Sequence, residues 1–173
     1  MTHIRLAERR DATCLPAIER SAGQSYRQIP ELSWIADGDD QSVERHLELT
    51  ALGTNWVAVD HPDSPIGFLS AEVLGDSLHI WEVAVRQDRQ GAGLGTALME
   101  TAIGDARGRG LIAVTLTTFR DVRWNEPFYH RLGFETLTDK STEKHLRDIL
   151  RAEVERGLPA GRRCAMRLAL SGA

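Results

Sequence analysis

A chain of 173 residues with 42% hydrophobic and 27% charged side chains can bury a core and keep a well-hydrated surface. Its formal net charge of −4 excludes the strongly basic face of a general nucleic-acid binder or a protein held on anionic lipid. No apolar run approaches the ~20 residues of a membrane span, and the opening MTHIRLAERR lacks the apolar stretch of a signal peptide. We therefore expect a cytoplasmic protein with neither nucleic acid nor membrane as partner. Cys14 and Cys164 lie far apart and have no metal-ligand spacing, so free, buried thiols and no metal are expected.

Taken in chain order, residues His3 to Ala7 read as a short edge strand, and Leu15, Ile18 and Ala22 recur at helical spacing. The stretch from Tyr26 to Trp34, interrupted by Pro30, reads as a loop or short broken helix. Gln41 to Leu52 reads as a helix stopped by Gly53. Three strands follow: Trp56 to Asp60, Ile66 to Leu74 and Ser77 to Val85. They are joined by the turn His61-Pro62-Asp63-Ser64-Pro65 and by Gly75-Asp76, and such short connections imply antiparallel pairing. From Leu94 the period lengthens, with Leu94, Ala97, Leu98, Thr101 and Ala102 on one face of a helix closed by Gly108 and Gly110. Leu111 to Thr118 reads as a buried strand, parallel to the one before the helix through a right-handed crossover. Trp124 to Leu132 predicts a short helix, Gly133-Phe134-Glu135 the start of a strand, Lys140 to Arg156 a helix and Cys164 to Leu170 a final strand. The sum is one α/β domain over residues 1–173, with a mixed sheet that is antiparallel at first and parallel later, flanked by helices.

The most informative segment is Gln90-Gly91-Ala92-Gly93-Leu94-Gly95-Thr96, at a strand-to-helix turn. Glycines there leave backbone N–H groups bare at a helix start, which suits phosphate oxygens. A dinucleotide fingerprint would need an acidic residue ~20 residues on, at the end of the next strand, where this chain has Thr117-Thr118-Phe119. A Walker loop would need a lysine, and this loop has none. A tight turn with no ligand stays open on this pattern alone.

Two motifs resemble those of the GCN5-related N-acetyltransferases. Val83-Ala84-Val85 followed by Gln90-x-x-Gly93-x-Gly95 is similar to that family's acetyl-CoA signature. Asn125-Glu126-Pro127-Phe128-Tyr129-His130-Arg131-Leu132-Gly133-Phe134 resembles its second hallmark, in the family's order and spacing. Pro127 stands where a small residue is usual, and proline is tolerated in a first helical turn. The resemblance implies a sheet that splays between the Ser77–Val85 and Leu111–Thr118 strands, where the pantetheine arm enters. Val83 and Val85 would bond that arm with main-chain groups, and Gln90, Gly91, Ala92, Gly93, Leu94, Gly95 and Thr96 would hold the pyrophosphate. Arg89 would add charge or simply be solvated. Asn125 would bond the pantetheine and cap the helix. Tyr129 would protonate the departing thiolate as general acid, or pack with its hydroxyl bonded. The backbone N–H of Val83 would polarise the thioester carbonyl. Glu82 is the favoured base for the amine, and His79, on the opposite strand face, is the other candidate or a packed sheet histidine.

The implied activity is direct acetyl transfer from acetyl-CoA to a primary amine, with a small-molecule acceptor expected and no metal. Tyr26, Trp34 and Trp124 are candidates for the acceptor site, and ordinary packing explains them equally well. Asp37, Asp39 and Asp40 form a small acidic cluster that is either a cation subsite or a solvated face. A protein lysine or N-terminal acetyltransferase and a non-catalytic acyl-CoA sensor are the other readings. A homodimer is expected only by analogy with the family.

Overall fold

A computed structural model describes residues 2–60 and 62–170, so His61 of the expected turn lies outside the described residues. The strands are β1 (His3–Leu6), β2 (Asn55–Asp60), β3 (Ser64–Leu74), β4 (Ser77–Val85), β5 (Ala113–Phe119), β6 (Glu135–Thr136) and β7 (Arg163–Ala169). The helices are α1 (Leu15–Gly23), α2 (Val43–Ala51), α3 (Leu94–Gly108), α4 (Glu126–Arg131) and α5 (Lys144–Glu155). The strands form one mixed sheet of seven, hydrogen-bonded in the order β1-β2-β3-β4-β5-β7-β6. The β4–β5 pair is parallel, as the change of period at Leu94 predicts, while β1–β2, β2–β3, β5–β7 and β6–β7 are antiparallel.

The chain divides into two compact units, residues 1–72 with 81–105, and residues 73–80 with 106–173. In the first, α1 is amphipathic and brings Leu15 and Ile18 onto Val57, Val59, Phe68 and Ala84. The Phe68 and His46 rings make a T-shaped contact, centroids 4.9 Å apart. Ser42 caps α2 by accepting a bond from the Arg45 N–H at 3.1 Å, which moves the helix start two residues past the expected Gln41. The Tyr26–Trp34 stretch is two 3₁₀ helices, Gln24–Gln28 and Pro30–Asp37, which pack on each other. Proline has no N–H to lose at the start of the second. Arg5 bridges Asp11 at 2.7 Å and Asp63 at 3.0 Å. Arg10 adds a second cation to Asp63 at 2.6 Å, and so holds a residue whose φ of 136° is rare outside glycine.

Glu19 on α1 is the electrostatic oddity of this unit. Burial pushes its carboxyl up to about 7, with the Asp40 carboxylate also raising it, while the Gln41 N–H, donated at 2.9 Å, and Arg20 pull it down. A carboxyl raised in the folded state binds more protons folded than unfolded between its ordinary pKa and about 7. That stability is fully present at acid pH and is lost as pH rises to about 7. Urea unfolding at pH 4.5 and 7.5 should therefore show Glu19→Gln gaining about 1–3 kcal/mol on the wild type across the interval. Parallel profiles for the two proteins would contradict the assignment.

In the second unit, α5 packs on β5 and β7, and Leu116, Phe134, Leu146 and Met166 are fully buried. Gly133 takes φ 91° between α4 and β6, a conformation that fits glycine best. Its strand is only two residues long, shorter than the Gly133 start suggests. Cys164 is buried and free, with burial pushing its thiol up to about 11, whereas Cys14 is free but only half-buried.

Candidate functional site

The glycine loop belongs to the first unit. A short 3₁₀ turn, Gln87–Arg89, carries the chain off β4, and Gln90 is extended. Gly91 and Gly93 both take φ 79°, so glycine is required there by backbone conformation. A Cβ at either would meet nothing within 4 Å, which leaves the peptide groups open to an incoming ligand. Gly91, Ala92 and Gly93 are exposed. The Gly93 carbonyl accepts the first bond of α3, from the Ala97 N–H at 3.0 Å. The amides of Leu94, Gly95 and Thr96 therefore precede the helical ladder and lie at the positive end of a 15-residue helix. Peptide dipoles rather than charged side chains are what the loop offers an anion.

What holds the loop was not visible in the motif. Gln90 donates from Nε2 to the Val85 carbonyl at 3.1 Å and accepts at Oε1 from the Ser25 hydroxyl at 3.2 Å. The Gln87 N–H donates to the Ser21 hydroxyl oxygen at 3.1 Å. Gln90 thus acts as a splint for the turn, and two serines around the end of α1 fix its approach. Arg89, expected to be solvated or to add charge, bridges Asp60 at 2.9 Å. Gly93→Val should weaken coenzyme A binding about tenfold or more, because a β-branched residue at φ 79° strains the turn that presents the amides. Calorimetric titration of the folded variant checks this, and wild-type affinity would contradict it.

Two candidates on β4 in this unit share one bond. The Val83 N–H donates to Glu82 Oε1 at 3.1 Å, so the proposed base and the proposed carbonyl-polarising amide are paired with each other. Both are half-buried, as is Val85. Tyr26 is half-buried, and Trp34 is 45% exposed on its 3₁₀ helix. Of the acidic cluster, Asp37 is paired with Arg27 at 2.6 Å and Asp40 with Arg20.

The second unit carries the other motif. Asn125 is 9% exposed and stands at the N-cap of α4, with Pro127 in the first turn. Its side chain makes no capping bond to the helix, so the expected side-chain cap is not formed; its carbonyl instead accepts the Phe128 and Tyr129 N–H groups at 2.8 and 3.1 Å. Tyr129 is half-buried and makes edge contacts with Phe128 and Phe134, centroids 5.1 and 5.9 Å away. Those rings fix the direction of the phenol. His130 ties α4 to β6 through the Phe134 carbonyl at 2.9 Å and the Thr136 hydroxyl at 3.1 Å. Trp124 is half-buried just before Asn125.

His79 is fully buried in β4, with Nδ1 3.0 Å from the Thr115 hydroxyl. Burial, with the nearby His145, pushes its pKa down to about 3, which keeps the imidazole neutral at physiological pH. The β4–β5 ladder runs from Ser77 and Ala113 to Ile80 and Leu116, while β5 itself continues to Phe119. No cluster of three or more metal-ligating side chains occurs among the described residues.

Over 114 residues, 66% of the chain, the sequence is 32% identical to a mycothiol acetyltransferase of Saccharomonospora viridis, where the match takes in 35% of the relative. The chain spans about a third of the length of the curated relatives it matches. In fold it is similar to a GNAT-family acetyltransferase of Staphylococcus aureus, with a TM-score of 0.72 at 14% identity over 99% of this chain and 100% of the other. It is also similar to the PaiA N-acetyltransferase of Thermoplasma acidophilum, solved with coenzyme A, with a TM-score of 0.70 at 16% identity over 98% and 99% of the two chains. The model of the acetyltransferase (GNAT) family matches residues 23–134, a stretch that holds both the glycine loop and the segment from Asn125 to Phe134. With its signature loop, its second motif and its sheet order all accounted for, the chain belongs to the acetyltransferase (GNAT) family.

Proposed function

We propose that this protein transfers an acetyl group from acetyl-CoA directly to a primary amine, and that the acceptor is a small molecule. The observation that carries the reading is the open glycine loop, whose two positive-φ glycines bare peptide groups at the start of α3. Support comes also from the family match, from the coenzyme A bound to the Thermoplasma acidophilum neighbour, and from the mycothiol in the name of the Saccharomonospora viridis relative.

Amides from Gly91 to Thr96 grip the diphosphate, and main-chain groups of Val83 and Val85 take the pantetheine amides as an added strand would. The side chain of Asn125 bonds the same arm. For catalysis the Val83 N–H turns from Glu82 to the thioester carbonyl, which frees the polarising donor beside the base. Glu82 takes a proton from the ammonium form of the acceptor. The amine nitrogen bonds to the acetyl carbon as the carbon–sulfur bond breaks. Tyr129 gives its proton to the leaving sulfur and regains one from the newly acylated nitrogen, directly or through water. His79, neutral and buried on Thr115, serves as a packed sheet residue. Accordingly Glu82→Gln should lower kcat about 10- to 100-fold, and His79→Gln should act mainly on stability. Equal losses of kcat in both variants, measured on folded protein, would contradict this division of roles.

A panel of amines offered with acetyl-CoA, read by thiol release, tests the function itself. Aminoglycosides, polyamines, arylalkylamines, amino-sugar thiols and peptides cover the classes. Turnover with a non-peptide amine supports the reading. Turnover with peptides alone would replace it by protein acetylation, and silence throughout on protein that binds acetyl-CoA would replace it by a sensor.

A further inference from the structure

The second unit contains a cavity of about 370 Å³ that none of the acyl-transfer groups lines. Its apolar walls include Leu137, Leu150, Val154 and Ala165, and its cations are Arg120, Arg151 and Arg163. Two of those cations are already neutralised. Arg163 is held by Glu153 at 2.9 Å and lies over the Phe119 ring at 4.6 Å, and Arg151 bridges Asp148 at 2.5 Å. Arg120 differs. Its backbone N–H donates to the Arg162 carbonyl at 2.8 Å, and its Nε donates to the Arg163 carbonyl at 3.2 Å. The two anchors are the last residue of the 3₁₀ turn Ala160–Arg162 and the first of β7, so the Nε end of the guanidinium is positioned before any ligand arrives. Its two terminal nitrogens meet no hydrogen-bond or ion-pair partner among the described residues. The lining contains one carboxylate, Asp139, on an exposed residue at the rim.

We propose that this cavity binds a small monocarboxylate with a branched apolar body, the carboxylate on the Arg120 fork and the hydrocarbon against Leu137, Leu150 and Val154. A planar fork pre-set by its own Nε bond matches a carboxylate in shape and charge. The volume is that of a small-ligand site, and an apolar wall with a few charged groups, of which Arg120 alone lacks a carboxylate partner, is the usual composition of such sites. A bare inorganic anion would leave the apolar wall wet, and an alkylamine would face an unpaired arginine. The site does not depend on the acyl-transfer reading, and its occupant is read by binding alone.

The test is calorimetric titration of the whole chain with sodium 4-methylpentanoate, inorganic phosphate and 4-methylpentylamine. Saturable 4-methylpentanoate binding is expected, at least about tenfold tighter than phosphate, with no heat from the amine. Arg120→Met, which keeps the arm and removes the fork, should weaken 4-methylpentanoate about tenfold or more. Gly161 lines the same cavity and a Cβ there meets nothing within 4 Å, so Gly161→Leu should fold and block the site without touching an arginine. No saturable binding to the wild type would overturn the proposal. So would phosphate binding as tightly as the carboxylate, or unchanged affinity in the folded Gly161→Leu protein.

Discussion

Tyr129→Phe should lower turnover about a hundredfold or more while leaving coenzyme A affinity within about twofold. The substitution removes one oxygen and keeps the ring that packs edge-on against Phe128 and Phe134, so α4 and the start of β6 should stay in place. A general acid contributes about 10²- to 10⁴-fold, and in the proposed role Tyr129 would spare the sulfur from leaving as a free thiolate. Steady-state kinetics with the best amine of the panel, beside a calorimetric titration with coenzyme A, separates the two effects. Unchanged kcat would remove Tyr129 from the reaction. Loss of coenzyme A binding along with kcat would make it a packing residue.

Phe68→Ala should cost about 3–5 kcal/mol of unfolding free energy. Phe68 is fully buried on β3, packed in one cluster with Leu15 and Ile18 of α1 and Val57 and Val59 of β2. Its ring also makes a T-shaped contact with His46. Burial pushes the His46 pKa down to about 4, so the imidazole there is neutral at physiological pH. Opening a cavity beside it removes dispersion contacts and admits water near a ring that is costly to protonate. Urea unfolding at neutral pH checks the magnitude. A loss below about 1 kcal/mol would mean that the cluster collapses into the space left.

Much of this was legible in local pattern. Positive φ at Gly91 and Gly93, the parallel step from β4 through α3 to β5, and Pro127 in the first turn of α4 all follow from residue types acting on their own backbone. What escaped was set by partners distant in sequence. Ser25 bonds Gln90 across 65 positions, and nothing in either neighbourhood announces it. Asp60 neutralises Arg89 for the same reason. The full burial of His79 depends on a strand pairing with Thr115 and on the later helix that brings His145 near, so period alone gave its face but not its environment. Helix and strand ends moved by one to four residues; the Ser42 cap sets the start of α2, whereas α5 begins at Lys144, four residues past the expected Lys140, with no side-chain cap. The Arg120 cavity is lined largely by the connection between β6 and β7, whose helix is legible in sequence while its packing beside Arg120 is not.

Titrating coenzyme A into the folded protein, with Gly93→Val alongside, reaches the core of the account most directly. Amides bared at Gly91 and Gly93 should give saturable, one-to-one heat with a Kd of about 1–100 μM, weakened in the variant. A wild-type protein shown to be folded by circular dichroism, yet giving no heat at any concentration of the coenzyme, would contradict it.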